Sequence, residues 1–342
     1  MTRPQLRTFV VGFAAAAVVL GLLASLVGVE DLLQELSRAN SRDVAVVVGL
    51  HVIWLVAWGL ALRAVLAALD ISVKPVQSIL LFTAGMATNN VTPLGQAGGE
   101  PFTALLYSSE FGVDYEESLA AAVSADTLNF VPSVALALGG VGWLALTASV
   151  DDDLLTVVLA AAAVAFLVLL AARPVWRRRS SVAGRVADLL TSPFRKIGGV
   201  IPRISPPTRE GIVRRIEGFL RAVERVGTDP RRLAFALTFS IAGWTMQALG
   251  LWVAFAAVDA SIPFALAVVA VTLTPLAGAT PMPGGTGGIE AALIALFVAA
   301  PFGVGTSTIA AAVAIYRVVN YWLPTLSGGA VAIAVASRSD RM

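Results

Sequence analysis

Two glutamates sit at the ends of unusually glycine-rich runs. Glu100 closes Asn89-Asn90-Val91-Thr92-Pro93-Leu94-Gly95-Gln96-Ala97-Gly98-Gly99-Glu100, and Glu290 closes Ala279-Thr280-Pro281-Met282-Pro283-Gly284-Gly285-Thr286-Gly287-Gly288-Ile289-Glu290. Each run joins Thr-Pro to a glycine-rich tip and leads into a short apolar stretch. Glycine permits left-handed turns and close approach of backbone to a ligand. Successive free N–H groups ahead of a helix N-terminus attract anions. Gly98, Gly99, Gly284, Gly285, Gly287 and Gly288 therefore suit a phosphate-bearing headgroup, with uncharged hydrogen bonds from Asn89, Asn90, Thr92, Gln96, Thr280 and Thr286. The plainer reading is that both runs are turns between ordinary helices. Two roles are open to Glu100 and Glu290: capping the helix that follows, or binding a proton or a cationic group within the membrane.

Arg317, in Tyr316-Arg317-Val318-Val319-Asn320-Tyr321-Trp322, lies deep in the last apolar stretch. Its planar fork matches phosphate or carboxylate, so it is expected either to meet a headgroup or to pair with Glu290 or Glu100. Asp126, with Asn129 one turn later, falls 26 residues beyond Glu100 much as Arg317 falls 27 beyond Glu290, and the two positions are candidates for a gate. His51, the single histidine, and Arg63 share one apolar stretch and read as structural. The tryptophans read as interfacial or packing residues. With no cysteine and one histidine, thiolate metal sites and Ser-His-Asp catalysis lack their parts. No metal and no cofactor are expected.

These residues need elements to hold them, and composition says which. Of 342 residues 57% are hydrophobic and 13% charged, more apolar surface than a water-soluble core hides. A bilayer core about 30 Å thick needs roughly 20 apolar residues per helix. Spans are expected over 8–29, 44–69, 118–150 with Pro132 inside, 154–172, 233–258 and 306–337. Residues 30–43 are expected to form a loop. Between 173 and 232 stand 15 Lys or Arg against 5 Asp or Glu, whereas the rest of the chain is net acidic. Basic loops remain cytoplasmic, which puts 173–232 and both termini inside. Residues 75–110 then begin and end on the inner side, and 261–305 on the outer side, so each is predicted to be a re-entrant hairpin. The expected fold is all-α: one transmembrane domain over 1–342, with about six full spans and two hairpins in an inverted-repeat arrangement. Interrupted hydrophobic segments at matching places in two halves point to a midplane binding site.

Within the basic loop, Ile212, Ile216, Phe219, Leu220 and Val223 recur at helical spacing among Arg214, Arg215, Arg221 and Arg225. Such a helix suits the anionic lipids of the inner leaflet, and nucleic acid is not an expected partner.

At these motifs the chain resembles the lysylphosphatidylglycerol synthase transmembrane-region family, the flippase-like domain proteins. The resemblance rests on Asn90, Thr92-Pro93, Gly98-Gly99-Glu100, the run from Pro283 to Glu290, and Tyr316-Arg317 with Tyr321 and Pro324. It implies lipid translocation at a cell membrane and adds Tyr321 to the residues expected to contact lipid. Where many members carry Glu-Arg-x-x-Asp, this chain reads Ala125-Asp126-Thr127-Leu128-Asn129. No counterpart of the soluble aminoacyltransferase domain of fused synthases is present in these residues, so lysyl-lipid synthesis is not expected. The expected activity is that of a lipid transporter; the alternative is a membrane glycosyl- or aminoacyl-transferase, or an accessory subunit of one.

Overall fold

A computed structural model describes residues 27–92, 96–147, 227–278, 282–300 and 302–339, together with 14, 17–23, 25, 163, 167, 170 and 224. The described residues form helices and no strand: α1 (Val29–Arg38), α2 (Ser41–Ala68), α3 (Pro75–Val91), α4 (Gln96–Phe111), α5 (Tyr115–Thr147), α6 (Pro230–Ala256), α7 (Phe264–Ala277), a 3-10 turn at Pro283–Gly285, α8 (Gly288–Ala299) and α9 (Thr306–Ser339). Four of them, α2, α5, α6 and α9, are long and apolar enough to cross a membrane. They correspond to four of the expected spans. The other two, 8–29 and 154–172, and the amphipathic stretch of 173–232 lie largely or wholly outside the described residues.

Local chemistry sets the starts of these helices. Asn40 Oδ1 accepts the Arg42 N–H at 3.0 Å at the head of α2. Asp229 accepts the N–H groups of Arg231 and Arg232 at 3.1 and 3.0 Å at the head of α6, where Pro230 occupies the first helical position. Both satisfy donors that a helix start leaves orphaned. Pro75 opens α3 in the same manner.

One expectation is corrected here. Residues 30–38, expected as part of a loop, belong to α1. Glu30 and Asp31 sit in its first turn and Arg38 in its last, the arrangement the helix dipole favours. Leu32 and Leu36 share the face packed on the core, and Thr308 Oγ1 of α9 donates to Glu35 Oε1 at 3.2 Å.

The core is centred on α2 and α6. Trp58, Trp244 and Trp54 interlock edge to face, with ring centroids 5.1 and 5.5 Å apart. The Trp58 indole N–H donates to Ser240 O at 3.2 Å and that of Trp244 to Asn129 O at 2.7 Å. A membrane interior offers no water for such groups, so they must find partners within the protein. Gly243 admits the Trp58 ring, since a Cβ there would overlap the indole. His51 is buried, bonds Val47 O through Nδ1 at 2.8 Å and packs on Trp54 and Tyr316. Arg63 Nε donates to Val73 O at 3.0 Å.

The helix pairings are symmetric between halves. Exchanging α2, α3, α4, α5 with α6, α7, α8, α9 maps the α3–α9 packing onto α7–α5, α2–α3 onto α6–α7, and α4–α5 onto α8–α9, and leaves the central α2–α6 pair in place. At 1.5 Å per residue the 17, 16, 14 and 12 residues of α3, α4, α7 and α8 reach about 26, 24, 21 and 18 Å, short of a bilayer core of roughly 30 Å.

Candidate functional site

The second elbow turns on glycines. Gly284, Gly285 and Gly287 take φ of 57, 66 and 89°, a region that side chains with a Cβ rarely enter. The chain thereby reverses and starts α8 within six residues of Met282. Thr286 Oγ1 donates to Pro283 O at 2.8 Å within the turn. Glu290, in the first turn of α8, accepts the Gly287 N–H on Oε2 at 2.6 Å and the Arg317 Nε–H on Oε1 at 2.7 Å. Glu290 thus caps its own helix and pairs with Arg317. The pair is enclosed, with side-chain exposures of 8% for Arg317 and 12% for Glu290.

Arg317 is the twelfth residue of α9, about 17 Å along the helix from its first residue. Nothing there lets it reach water by extending its side chain, so its charge is met internally. Besides Glu290, it donates through Nη1 to Asn320 Oδ1 at 3.3 Å and, more weakly, through Nη2 to Gly284 O at 3.5 Å. Asn320 Nδ2 donates onward to Gln247 Oε1 of α6 at 3.1 Å. The guanidinium lies 6.0 Å from the ring centroid of Tyr321.

Tyr321 joins the elbows. Its hydroxyl donates to Asn90 O at 3.1 Å, while Asn90 Nδ2 donates back to Tyr321 O at 3.1 Å and to Thr325 Oγ1 at 2.8 Å. A Cβ on Gly284 would fall 2.6 Å from the Tyr321 ring and 3.1 Å from Asn90 O, so the two tips touch. Val19, from the first expected span, closes the outside of the second tip, 2.8 Å from where a Gly287 Cβ would lie.

The first elbow differs in its electrostatics. Gly99 brings α4 against α3 so closely that a Cβ would overlap Asn89 Oδ1. Thr88 Oγ1 and Thr103 Oγ1 share a hydrogen bond at 2.8 Å, and Thr92 Oγ1 donates to Thr88 O at 2.7 Å. Beside them a cavity of about 20 Å³ is lined by Glu100 and Thr103 of α4, Asn89 of α3, Asp126 of α5 and Tyr107. Asp126 is the twelfth residue of α5, as Arg317 is of α9. Here a carboxylate stands where the second half has a guanidinium.

The residues singled out from sequence thus divide. Asn90, Gly284, Gly285, Thr286, Gly287, Gly288, Glu290, Arg317 and Tyr321 gather at the joint of the tips. Gly99, Glu100 and Asp126 gather at the first elbow with Asn89. Gly98 lies in the first turn of α4, as does Gln96, whose side chain is outside the described residues, along with Thr280. Asp126 shares its cavity with Glu100, while Arg317 bonds Glu290. Asn129 is buried and its backbone carbonyl holds Trp244. Sequence reasoning missed Asn320, Gln247 and Thr325. Asn320 was detectable, because it follows Arg317 by three residues as Asn129 follows Asp126.

Four helices long and apolar enough to cross a membrane, shorter apolar helices packed in pairs and an enclosed charge pair define a multi-pass α-helical membrane protein. Residues 9–328 match the lysylphosphatidylglycerol synthase TM region, and the chain belongs to that family. A UPF0104 membrane protein of Methanothermobacter thermautotrophicus is 30% identical over 97% of this chain and 94% of its own length. A second from the same organism is 24% identical over 91% and 90%. A UPF0104 membrane protein of Pyrococcus horikoshii is 24% identical over 88% and 90%.

Proposed function

We propose that this protein is a flippase-like lipid transporter that binds the headgroup of a phospholipid or of a polyprenyl-phosphate-linked lipid where its two elbows meet. The observation that carries the reading is the joint itself, in which Asn90, Gly284, Tyr321 and the Glu290–Arg317 pair converge. Broken helices tolerated at membrane depth are those packed in protein or facing a polar cavity. Two such breaks meeting from two matched halves form the layout of a midplane transport site. The short α3–α4 and α7–α8 pairs act as re-entrant hairpins entering from opposite faces, making the halves inverted repeats of a single domain. The termini and residues 173–232 lie on the cytoplasmic side, where the basic segment meets anionic lipid.

With the tips in contact, Arg317 is held by Glu290. A headgroup phosphate competes for the same fork, since phosphate and carboxylate offer it equivalent geometry. Exchange of Glu290 for a phosphate on Arg317 couples lipid entry to loosening of the second elbow, and rocking of one half against the other then changes access. The name of the matched region associates it with a lysyl-phosphatidylglycerol synthase, and this lends weight to a lipid as the ligand.

Reconstitution into vesicles carrying a fluorescently labelled phospholipid tests the proposal, with chemical quenching of the outer leaflet as the readout. The wild-type protein is expected to expose inner-leaflet lipid to the quencher, and Arg317→Ala to slow that exposure at least tenfold. Exposure no faster than in protein-free vesicles, with labelled phospholipid and with labelled polyprenyl phosphate alike, overturns it.

A further inference from the structure

The first elbow confines two carboxylates in a small cavity, and neither lysine nor arginine is among the residues that line it. Glu100 and Asp126 face this space at a depth where uncompensated charge is costly. In the matching place of the second half the charge of Glu290 is met by Arg317 at 2.7 Å. A further acceptor is also unmet: Asn89 is 8% exposed, and its Oδ1, lying against Gly99 beside the cavity, has no hydrogen-bond partner. A buried acceptor left unmet in this way costs free energy until something supplies a positive end.

We propose that Glu100, Asp126 and Asn89 Oδ1 bind a sodium-sized monovalent cation, which occupies in the first half the place that the Arg317 guanidinium fills in the second. The donors are all oxygens, which hard cations prefer. The Thr103 hydroxyl and the Tyr107 hydroxyl complete the polar lining. A cavity of about 20 Å³ admits one water-sized occupant. A water could satisfy Asn89 but brings no positive charge, whereas one cation meets Asn89 Oδ1 and offsets one of the two carboxylate charges. No group of three or more His, Cys, Asp or Glu able to hold a metal ion occurs among the described residues, so the site lacks the ligand count of a divalent centre. The binding does not depend on the lipid reading and is tested without lipid transport.

The test uses the full chain in detergent, with thermal unfolding followed by tryptophan fluorescence in NaCl against equal choline chloride, and with KCl and CaCl₂ as further arms. Retention of radioactive sodium by the same preparation gives a direct measure. NaCl is expected to raise the midpoint saturably, on the order of 5 °C, KCl to do so far less, and one sodium ion to be retained per chain. Asp126→Asn removes both effects yet unfolds in choline chloride no earlier than wild type, because the mutual repulsion of Glu100 and Asp126 is relieved. A merely structural aspartate would instead lower stability in every salt. Should Asp126→Asn fail to fold, sodium retention by the wild type decides. Coincident NaCl and choline curves without retained sodium overturn the proposal. So do an equal response to KCl, a larger response to CaCl₂, or a midpoint that follows pH alone as Glu100, Asp126 or Tyr107 titrates.

Discussion

The second elbow neutralises its glutamate from within, and the first sets its glutamate beside another acid. Glu290 is capped by the Gly287 N–H and bound by Arg317, whereas Glu100 shares a cavity with Asp126. The scaffolding is otherwise matched: a charged residue twelfth in the following helix, an asparagine three residues on, and a short helix preceding each. Duplicated architecture therefore fixes where charge sits without fixing its sign. One half meets its glutamate with covalently attached charge; the other sets two acids on one cavity with no lysine or arginine among the residues that line it. On the transporter reading proposed above, the first arrangement would serve as a latch and the second as a site that responds to its surroundings.

The largest expected effect breaks the comparison at its strongest point. Glu290→Ala strands the Arg317 guanidinium away from water and frees the Gly287 N–H. Loss of one partner of an enclosed pair costs about 3–5 kcal/mol, seen as earlier unfolding in a denaturing-detergent titration. Glu100→Ala, measured in choline chloride, changes stability by no more than about 1 kcal/mol, since it removes a carboxylate that faces another. Equal losses in the two variants would show that the elbows are electrostatically alike after all.

Much of this frame was legible in the sequence, and the misses have physical causes. The spans expected from residues 44, 118 and 233 begin at Ser41, Tyr115 and Pro230, three residues earlier in each case. Hydropathy cannot count a first turn lying at the interface, where Asn40 and Asp229 cap and Arg42, Glu116 and Arg231 are polar. Helix α1 escaped for the same reason, its acidic first turn outweighing its leucines. Pairing of Arg317 with Glu290 was named beside pairing with Glu100 and contact with a headgroup, but choosing among them required the register of α8 against α9, which no periodicity reveals. Asn320 and Gln247 were passed over because a neutral amide in an apolar run carries no charge to flag it. The contrast between the elbows was visible as Asp126 against Arg317, yet only the fold places Asp126 beside Glu100.

A smaller effect separates glycines that shape the joint from glycines that merely fill helices. Gly284 has φ 57° and no room for a Cβ, which would lie 2.6 Å from the Tyr321 ring. Gly284→Ala is expected to cost about 1–3 kcal/mol from strain and overpacking. Gly139 and Gly142 lie within α5, and a Cβ added to either would meet nothing within 4 Å; replacing either by alanine should stabilise by up to about 1 kcal/mol through helix propensity. Unfolding midpoints of the variants should therefore shift in opposite directions, and a common sign would deny the tip its special geometry.

The smallest effect concerns the contact between tips. Asn90 is the penultimate residue of α3, so its carbonyl is one of those that a helix end leaves without an intrahelical partner. The Tyr321 hydroxyl supplies that partner at 3.1 Å. Tyr321→Phe keeps the ring packed and removes only this donor, at a cost of about 1 kcal/mol. Because the loss falls on the end of α3 and not on the α2–α6 core, amide exchange should quicken over residues 86–92 while that of residues 54–65 stays unchanged. If exchange quickens instead around Gly284–Gly287 alone, the hydroxyl steadies the second tip and not the first, and the bridge between the halves runs through the Asn90 side chain to Thr325.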